Sequence, residues 1–265
     1  MIRLELYKNI LGEMRFKEII TYEFNPHNNK QPLTQNHLDL IELPFVSFIT
    51  TNYDCILENA KSRLDLDIKS NFYPTLPISH IRDRQIFHIH GILDYERLSE
   101  TQDSIIITRS DINQAYQEGS NIYNLLNCAY QELIILFIGF NIYEPFIWEI
   151  IRDCRYQYEE KRIIASERGS KPLKEINHFA FLENKLFYPP NKDQYIINHE
   201  ISDEENIDLI IKQDEELKTI GINPIRYVGD PFNHTQLIEL VHKLYSTIKN
   251  LQERPIVYDL TFHGE

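Results

Sequence analysis

Several short polar clusters in this chain combine side chains that can hold a ligand or move a proton. The first is Thr51-Asn52-Tyr53-Asp54, directly after the apolar run at 45–50. Asn and Asp in such a turn can cap the helix that follows by accepting its first backbone N–H groups. They can equally be turned outward to a ligand. The second cluster is His88-Ile89-His90-Gly91. Alternate positions of a strand share a face, so both imidazoles are expected on one side. A histidine ionises near neutrality, which suits a general base, and Gly91 lets a ligand come close to the backbone. A structural histidine is an equally ordinary occupant of a strand end. His-x-His is also part of a metal site, but His178, His199, His234 and His242 are scattered and offer no third ligand at a suitable spacing. Thr108, then Gly139 with Asn141, then Gly229 with Asp230, each follow a later apolar run.

The elements that must position these clusters follow a regular grammar. Residues 45–50 (FVSFIT) read as a short buried strand, with a helix from near Asp54 that places Ile56, Leu57 and Ala60 on one face. Residues 86–90 form a second strand and 104–108 a third, followed by a turn into a helix. Asn121–Glu132 is amphipathic. Residues 133–139 (LIILFIG) are uninterruptedly apolar, as in a central parallel strand covered on both faces. A helix from Pro145 to about Tyr158, a strand at 179–182, a helix at 204–220, a strand at 224–228 and a helix at 235–251 complete the series. Residues 2–22 hold a helix or a strand–helix pair, 25–36 a polar loop, and 183–203 an irregular stretch. The alternation predicts an α/β fold, a Rossmann-like parallel sheet with helices on both faces. Ligands collect beyond the carboxyl ends of such strands, where Asn52, His90, Thr108, Asn141 and Asp230 all lie. The organisation is read as an N-terminal segment at 1–44, the sheet domain at 45–252 and a tail at 253–265.

Composition narrows the function classes. With 42% hydrophobic residues in 265, the chain can bury a full core. A net charge of −13 argues against a nucleic-acid partner, since phosphate backbones require clustered Lys and Arg. Cys55, Cys128 and Cys154 are far apart with no CxxC pair, which excludes a zinc ribbon and fits a reducing compartment. The start, MIRLELYKNI, has no signal-like apolar core. The longest apolar stretch, at 133–140, falls far short of the ~20 residues that cross a bilayer. A cytoplasmic protein with no membrane partner is expected.

ITTNYD, HIHG, IITRSD and LFIGFNIYEP occur in that order, followed by HFAFLE and LKTIGINPIRYVGDPFNHTQLIELVHKL. Over roughly residues 40 to 250 this set resembles the sirtuin-like superfamily (silent information regulator two type), in its bacterial defence-associated NAD-hydrolase branch. The resemblance implies NAD as substrate, cleaved at the nicotinamide–ribose bond to nicotinamide and ADP-ribose, in antiphage defence. Asn52 would position the ribose and the attacking water, and Asp54 the nicotinamide end or its loop. His90 would be the general base. Thr51, Gly91, Thr108, Gly139, Asn141, Gly229 and Asp230 would face the dinucleotide. Asn141 stands where the family usually has serine, and Glu144 where aspartate is common. The deacetylases of the superfamily carry a four-cysteine zinc module that this chain cannot supply, so no zinc is expected. NAD or ADP-ribose and further copies of the chain are the expected partners.

One family feature is missing. Members open with a strand and a glycine-rich turn that cradles the pyrophosphate on backbone N–H groups. None of the eight glycines here forms a GxG, and only Gly12 precedes Thr51. The family's missing strand would be central in the sheet. Three readings follow: a truncated reading frame, a second polypeptide that supplies the loop, or a non-catalytic member. The last would bind ADP-ribose, NAD or a partner protein, with residues 2–22 patching the sheet. Any exposed parallel edge would be a pairing site.

Overall fold

The computed structural model describes residues 2–23, 33–93, 105–140, 142, 144–170, 175–183, 203–227 and 235–252. Its strands are β1 (Ser47–Thr50), β2 (Lys69–Phe72), β3 (Gln85–His88), β4 (Leu136–Phe137), β5 (His178–Glu183) and β6 (Ile222–Tyr227). The helices are α1 (Ile2–Leu11), α2 (Glu13–Glu23), α3 (Gln35–Glu42), α4 (Ile56–Arg63), α5 (Arg109–Ala115), α6 (Asn121–Glu132), α7 (Pro145–Glu167), α8 (Asp203–Thr219) and α9 (Thr235–Gln252). Among these residues the strands form two three-stranded sheets, ordered β1-β3-β2 and β4-β5-β6. Every ladder is parallel. The expected α/β architecture with flanking helices is present.

Several boundaries differ from the sequence reading, each for a local reason. The second strand stops at His88, and residues 89–90 form a turn. His88 and His90 therefore take different partners rather than sharing a face. Residues 105–107 are extended but form no ladder. Ile106 N–H donates to the His90 carbonyl at 3.0 Å, while the Asp111 carboxylate takes the N–H groups of Ile107 and Thr108 at 3.3 and 3.0 Å. A side chain has taken the place of a neighbouring strand. The apolar run at 133–139 pairs only through Leu136 and Phe137, with β5. It is an edge rather than a centre, and Ile134 is 70% exposed. β2, Lys-Ser-Asn-Phe, lacks the apolar alternation that marks a strand and owes its place to β3. The helix from Pro145 runs on to Glu167.

The core sits on both faces of the sheets. On β5, Ala180 and Leu182 pack with Ile122, Leu125, Ile150 and Ile151 of α6 and α7. Phe181 packs with Val241 and Leu237 of α9. Alternating side chains point to opposite faces, so the two helical layers lie on opposite sides. Below β1, Phe48 and Ile86 meet Ile41 of α3 and Ala60 of α4. α9 is tied to α3 by His242 Nδ1 and the buried Asp39 carboxylate at 2.7 Å, and by Tyr245 O–H donating to Glu42 at 2.8 Å. Residues 2–23 form two helices. Phe16 and Ile20 pack on Leu93 and Ile105, and Lys8 pairs with Asp111 at 2.7 Å. No described helix is long and apolar enough to cross a membrane.

Candidate functional site

One groove of about 510 Å³ runs between the two sheets. Residues 45–52 line one wall and residues 133–140 the other. Leu126, Tyr130, Ile147, Ile150 and Ile151 close it from the α6–α7 side, and Leu40, Leu237 and Val241 from the α3–α9 side. The lining is mostly apolar, and it includes Thr51, Asn52, Asp54 and Gly139 from the expected set, with Asn36 and His37 of α3.

The Asn52 side chain is exposed while its backbone is fixed twice. Its N–H donates to Thr50 Oγ1 at 3.0 Å, and its carbonyl lies 3.2 Å from His88 Nδ1. Asp54 Oδ1 accepts the Ile56 N–H at 3.0 Å. That bond is the capping role, and it leaves a second carboxylate oxygen beside the groove. His90 lies behind this turn. Its Nε2 is 2.6 Å from the Tyr116 hydroxyl. Burial lowers its pKa to about 4, against a hydrogen bond with the Thr51 backbone that works the other way. The ring is therefore neutral at pH 7, with its Nδ1 side toward Thr51 and its Nε2 placed to accept from Tyr116. Gly91 is buried with φ +84°, a conformation that favours glycine.

Other expected residues lie apart from the groove. Thr108 is fully buried, and its hydroxyl accepts the Asp111 N–H at 3.2 Å as the N-cap of α5. Glu144 caps α7 through the Ile147 N–H at 3.1 Å, and burial raises its pKa. Asn141, Gly229 and Asp230 lie outside the described residues.

The group that sequence reasoning passed over is the His88–Glu58 pair. His88 is 1% exposed, and its Nε2 is 2.9 Å from Glu58 Oε1. Glu58 also accepts from Ser70 Oγ at 2.6 Å, and Lys61 Nζ donates to Ser70 at 3.2 Å. The partners of the His88 ring are thus a carboxylate and the Asn52 carbonyl. Burial works to raise the Glu58 pKa, but His88 and Ser70 outweigh it and the net direction is down. His88 thus connects Glu58 to the backbone of Asn52. In sequence Glu58 is only an acid in the first turn of a helix, an ordinary partner of the helix dipole. Glu58→Ala is expected to cost about 1–3 kcal/mol, because it leaves the buried His88 Nε2 without its hydrogen-bond partner. Glu58→Gln should recover part of that loss in urea unfolding. Equal stability of the wild type and both variants would remove His88–Glu58 as the support of the Asn52 turn.

A model of the SIR2-like domain matches residues 46–201, from the start of β1 through the groove walls and beyond β5. A NAD(+) hydrolase ThsA of Cytobacillus dafuensis is 26% identical over 200 residues, 74% of this chain and 34% of that protein. One from Enterococcus faecium is 24% identical over 246 residues, 91% of this chain and 46% of that protein. One from Bacillus cereus (strain MSX-D12) is 28% identical over 147 residues, 55% of this chain and 29% of that protein. The chain thus spans less than half the length of each of these curated relatives. The family model covers more than half of the chain, and on that footing the chain belongs to the SIR2-like domain family.

Proposed function

We propose that this chain carries the nicotinamide end of an NAD-cleaving site, releasing nicotinamide and ADP-ribose. The observation that supports it is that Thr51, Asn52, Asp54 and Gly139 line one groove, with a neutral His90 beside Tyr53. In the reaction a water oxygen bonds to the ribose anomeric carbon as the carbon–nitrogen bond breaks. The electron pair leaves with nicotinamide, and the water's proton passes to His90 and then to solvent. Asn52 positions the ribose and the water. His90 needs no prior deprotonation at pH 7, although its Nε2 must part from the Tyr116 hydroxyl to accept the proton. A homo-oligomeric assembly, a second polypeptide that brings the phosphate-cradling turn, and a role in antiphage defence accompany this reading.

The second reading is a non-catalytic domain that binds ADP-ribose, NAD or a partner protein. It is favoured by the largely apolar groove. Nicotinamide release from NAD by the purified chain, measured beside calorimetric titration with NAD and ADP-ribose, separates the two. Release supports hydrolysis, binding without release supports the second reading, and neither release nor binding would overturn both as statements about a nucleotide.

A further inference from the structure

His90 sits in an aromatic enclosure that fixes both of its ring nitrogens. Directly after α5, the Tyr116 hydroxyl lies 2.6 Å from His90 Nε2, and the phenol stands edge-on to the imidazole at 5.7 Å and 69°. Tyr116 is buried and packs on Phe146 of α7, with ring centroids 6.0 Å apart. Tyr53 covers His90 at 6.1 Å, tilted by 31°, and commits its own hydroxyl to the Ile106 carbonyl. The bond between His90 and the Thr51 backbone favours the protonated ring, so the ring donates there to a carbonyl. A neutral imidazole carries one N–H. With that N–H spent on Thr51, Nε2 is the acceptor and the phenol the donor. Among the described residues His90 is the only partner of the Tyr116 hydroxyl. Were the phenol to accept from a protonated Nε2, its own hydrogen would be buried without an acceptor. Burial pushes the Tyr116 pKa well up and Glu144 adds to it, so the phenol keeps its proton. Of the charged groups close by, Glu144 acts on Tyr116 and Asp111 on Tyr53, whereas burial and the Thr51 bond are what shift His90.

We propose that Tyr116 is a positioning residue that acts through His90: its hydroxyl fixes the ring and occupies the basic nitrogen until a substrate hydroxyl or water displaces it. This rests on His90 as the base of the NAD-cleaving reading. The phenol bond exists only while Nε2 is unprotonated, so it adds to burial in opposing protonation of the ring. It must also break before Nε2 can take a proton from water. No proton leaves the phenol in that exchange; its O–H bond stays intact and only its acceptor is given up. Tyr116 therefore restrains the base, and removing its hydroxyl leaves Nε2 unoccupied and more basic.

NMR titration of the full-length chain with nitrogen-labelled histidine tests this without reference to NAD, the His90 signal being assigned against His90→Ala. In the wild type the ring is expected neutral at pH 7 with its proton on Nδ1. Tyr116→Phe keeps the aromatic ring and removes the donor. It should raise the His90 pKa by about half a pH unit to one, the worth of one neutral hydrogen bond. His178 is the internal control, because burial also lowers its pKa to about 4 while its ring stacks on Tyr130 instead. A variant that merely loosened the core would raise both histidines. Nicotinamide release by Tyr116→Phe at pH 7 should be about two- to tenfold faster than in the wild type, the same bond read as a rate. Any one of four results would overturn the proposal: a His90 pKa that stays or falls, a parallel rise of His178, a wild-type ring protonated at Nε2, or slower release by the variant. If Tyr116→Phe does not fold, the tautomer of the wild-type ring decides. If the wild type releases no nicotinamide, the NAD-cleaving reading fails, and the titration alone decides whether Tyr116 holds His90.

Discussion

His90→Ala is expected to lower the rate of nicotinamide release from NAD by about 100- to 1,000-fold, the usual contribution of a positioned general base. Asn52→Ala is expected to lower it by about 100-fold through lost positioning of ribose and water. The two substitutions differ in what else they disturb. The Asn52 side chain is exposed and its two fixing bonds are made by its backbone, so its removal should change stability by less than about 0.5 kcal/mol. His90 is largely enclosed, and its loss leaves the buried Tyr116 hydroxyl without its imidazole partner. Asn52→Ala is therefore the cleaner test of chemistry. The pH profile adds a second readout. Because burial holds His90 near a pKa of about 4, kcat/KM should stay level from neutral pH downward and fall only as pH drops through about 4. An acid limb centred at 6.5 would show that the titrating base is not His90 as placed here. Full activity in both variants would sink the proposed mechanism.

Mild acid is expected to lower the melting temperature of this protein while leaving it folded at assay temperature, and two enclosed histidines are the cause. Burial lowers His90 and His178 to about 4 from an ordinary value of 6.5. The unfolded chain takes up protons as pH falls through 6.5, while the folded chain declines them until about 4. Stability is therefore fully present above 6.5 and is lost progressively as pH falls toward 4. The gap is worth about 3 kcal/mol per histidine at its full extent, a large share of the roughly 5–15 kcal/mol that holds a domain. Glu58 and Asp111, whose pKa values are lowered, act in the opposite sense of charge. Their stabilisation is present above the ordinary carboxylate range and disappears only as pH falls below it. The histidines thus govern the upper window and the carboxylates the lower. His178 has a particular consequence for the groove. Its Nδ1 accepts the Ile135 N–H at 3.2 Å and its ring stacks on Tyr130 at 4.1 Å, so its protonation releases the strand that forms one wall. Thermal melts from pH 7.5 to 4.5 should show a falling midpoint, and His178→Gln should flatten the curve. A midpoint that holds steady down to pH 5 would contradict the burial of both rings.

Local patterns made the parallel α/β class and most elements legible. Apolar runs followed by polar turns marked β1, β3 and β5, and the amphipathic helix Asn121–Glu132 matches α6 residue for residue. The polar residues after β1 and β4 were legible for the same reason, because strand ends in such a sheet are where ligands gather. Errors arose where a neighbour, rather than the segment itself, determined the outcome. β2 has no strand signal of its own and forms because β3 offers it a ladder. Residues 105–107 look like a strand, but the Ile107 N–H goes to the Asp111 carboxylate, which also takes that of Thr108. Residues 133–139 carry the composition of a central strand, yet only two of them pair, because the sheet continues on one side alone.

By itself the sequence determined which residues stand at the strand ends, the SIR2-like order of motifs, and the want of a glycine-rich turn, since all three are properties of a linear string. Tertiary structure alone decided which of those residues meet. It put Thr51, Asn52, Asp54 and Gly139 on the lining of one groove and committed Thr108 to a helix cap. It brought Glu58 under His88, and it opened an apolar groove between two parallel edges. Pairing across a distance depends on where each chain segment's unpaired backbone and buried charge find a partner, and no spacing along the sequence encodes that.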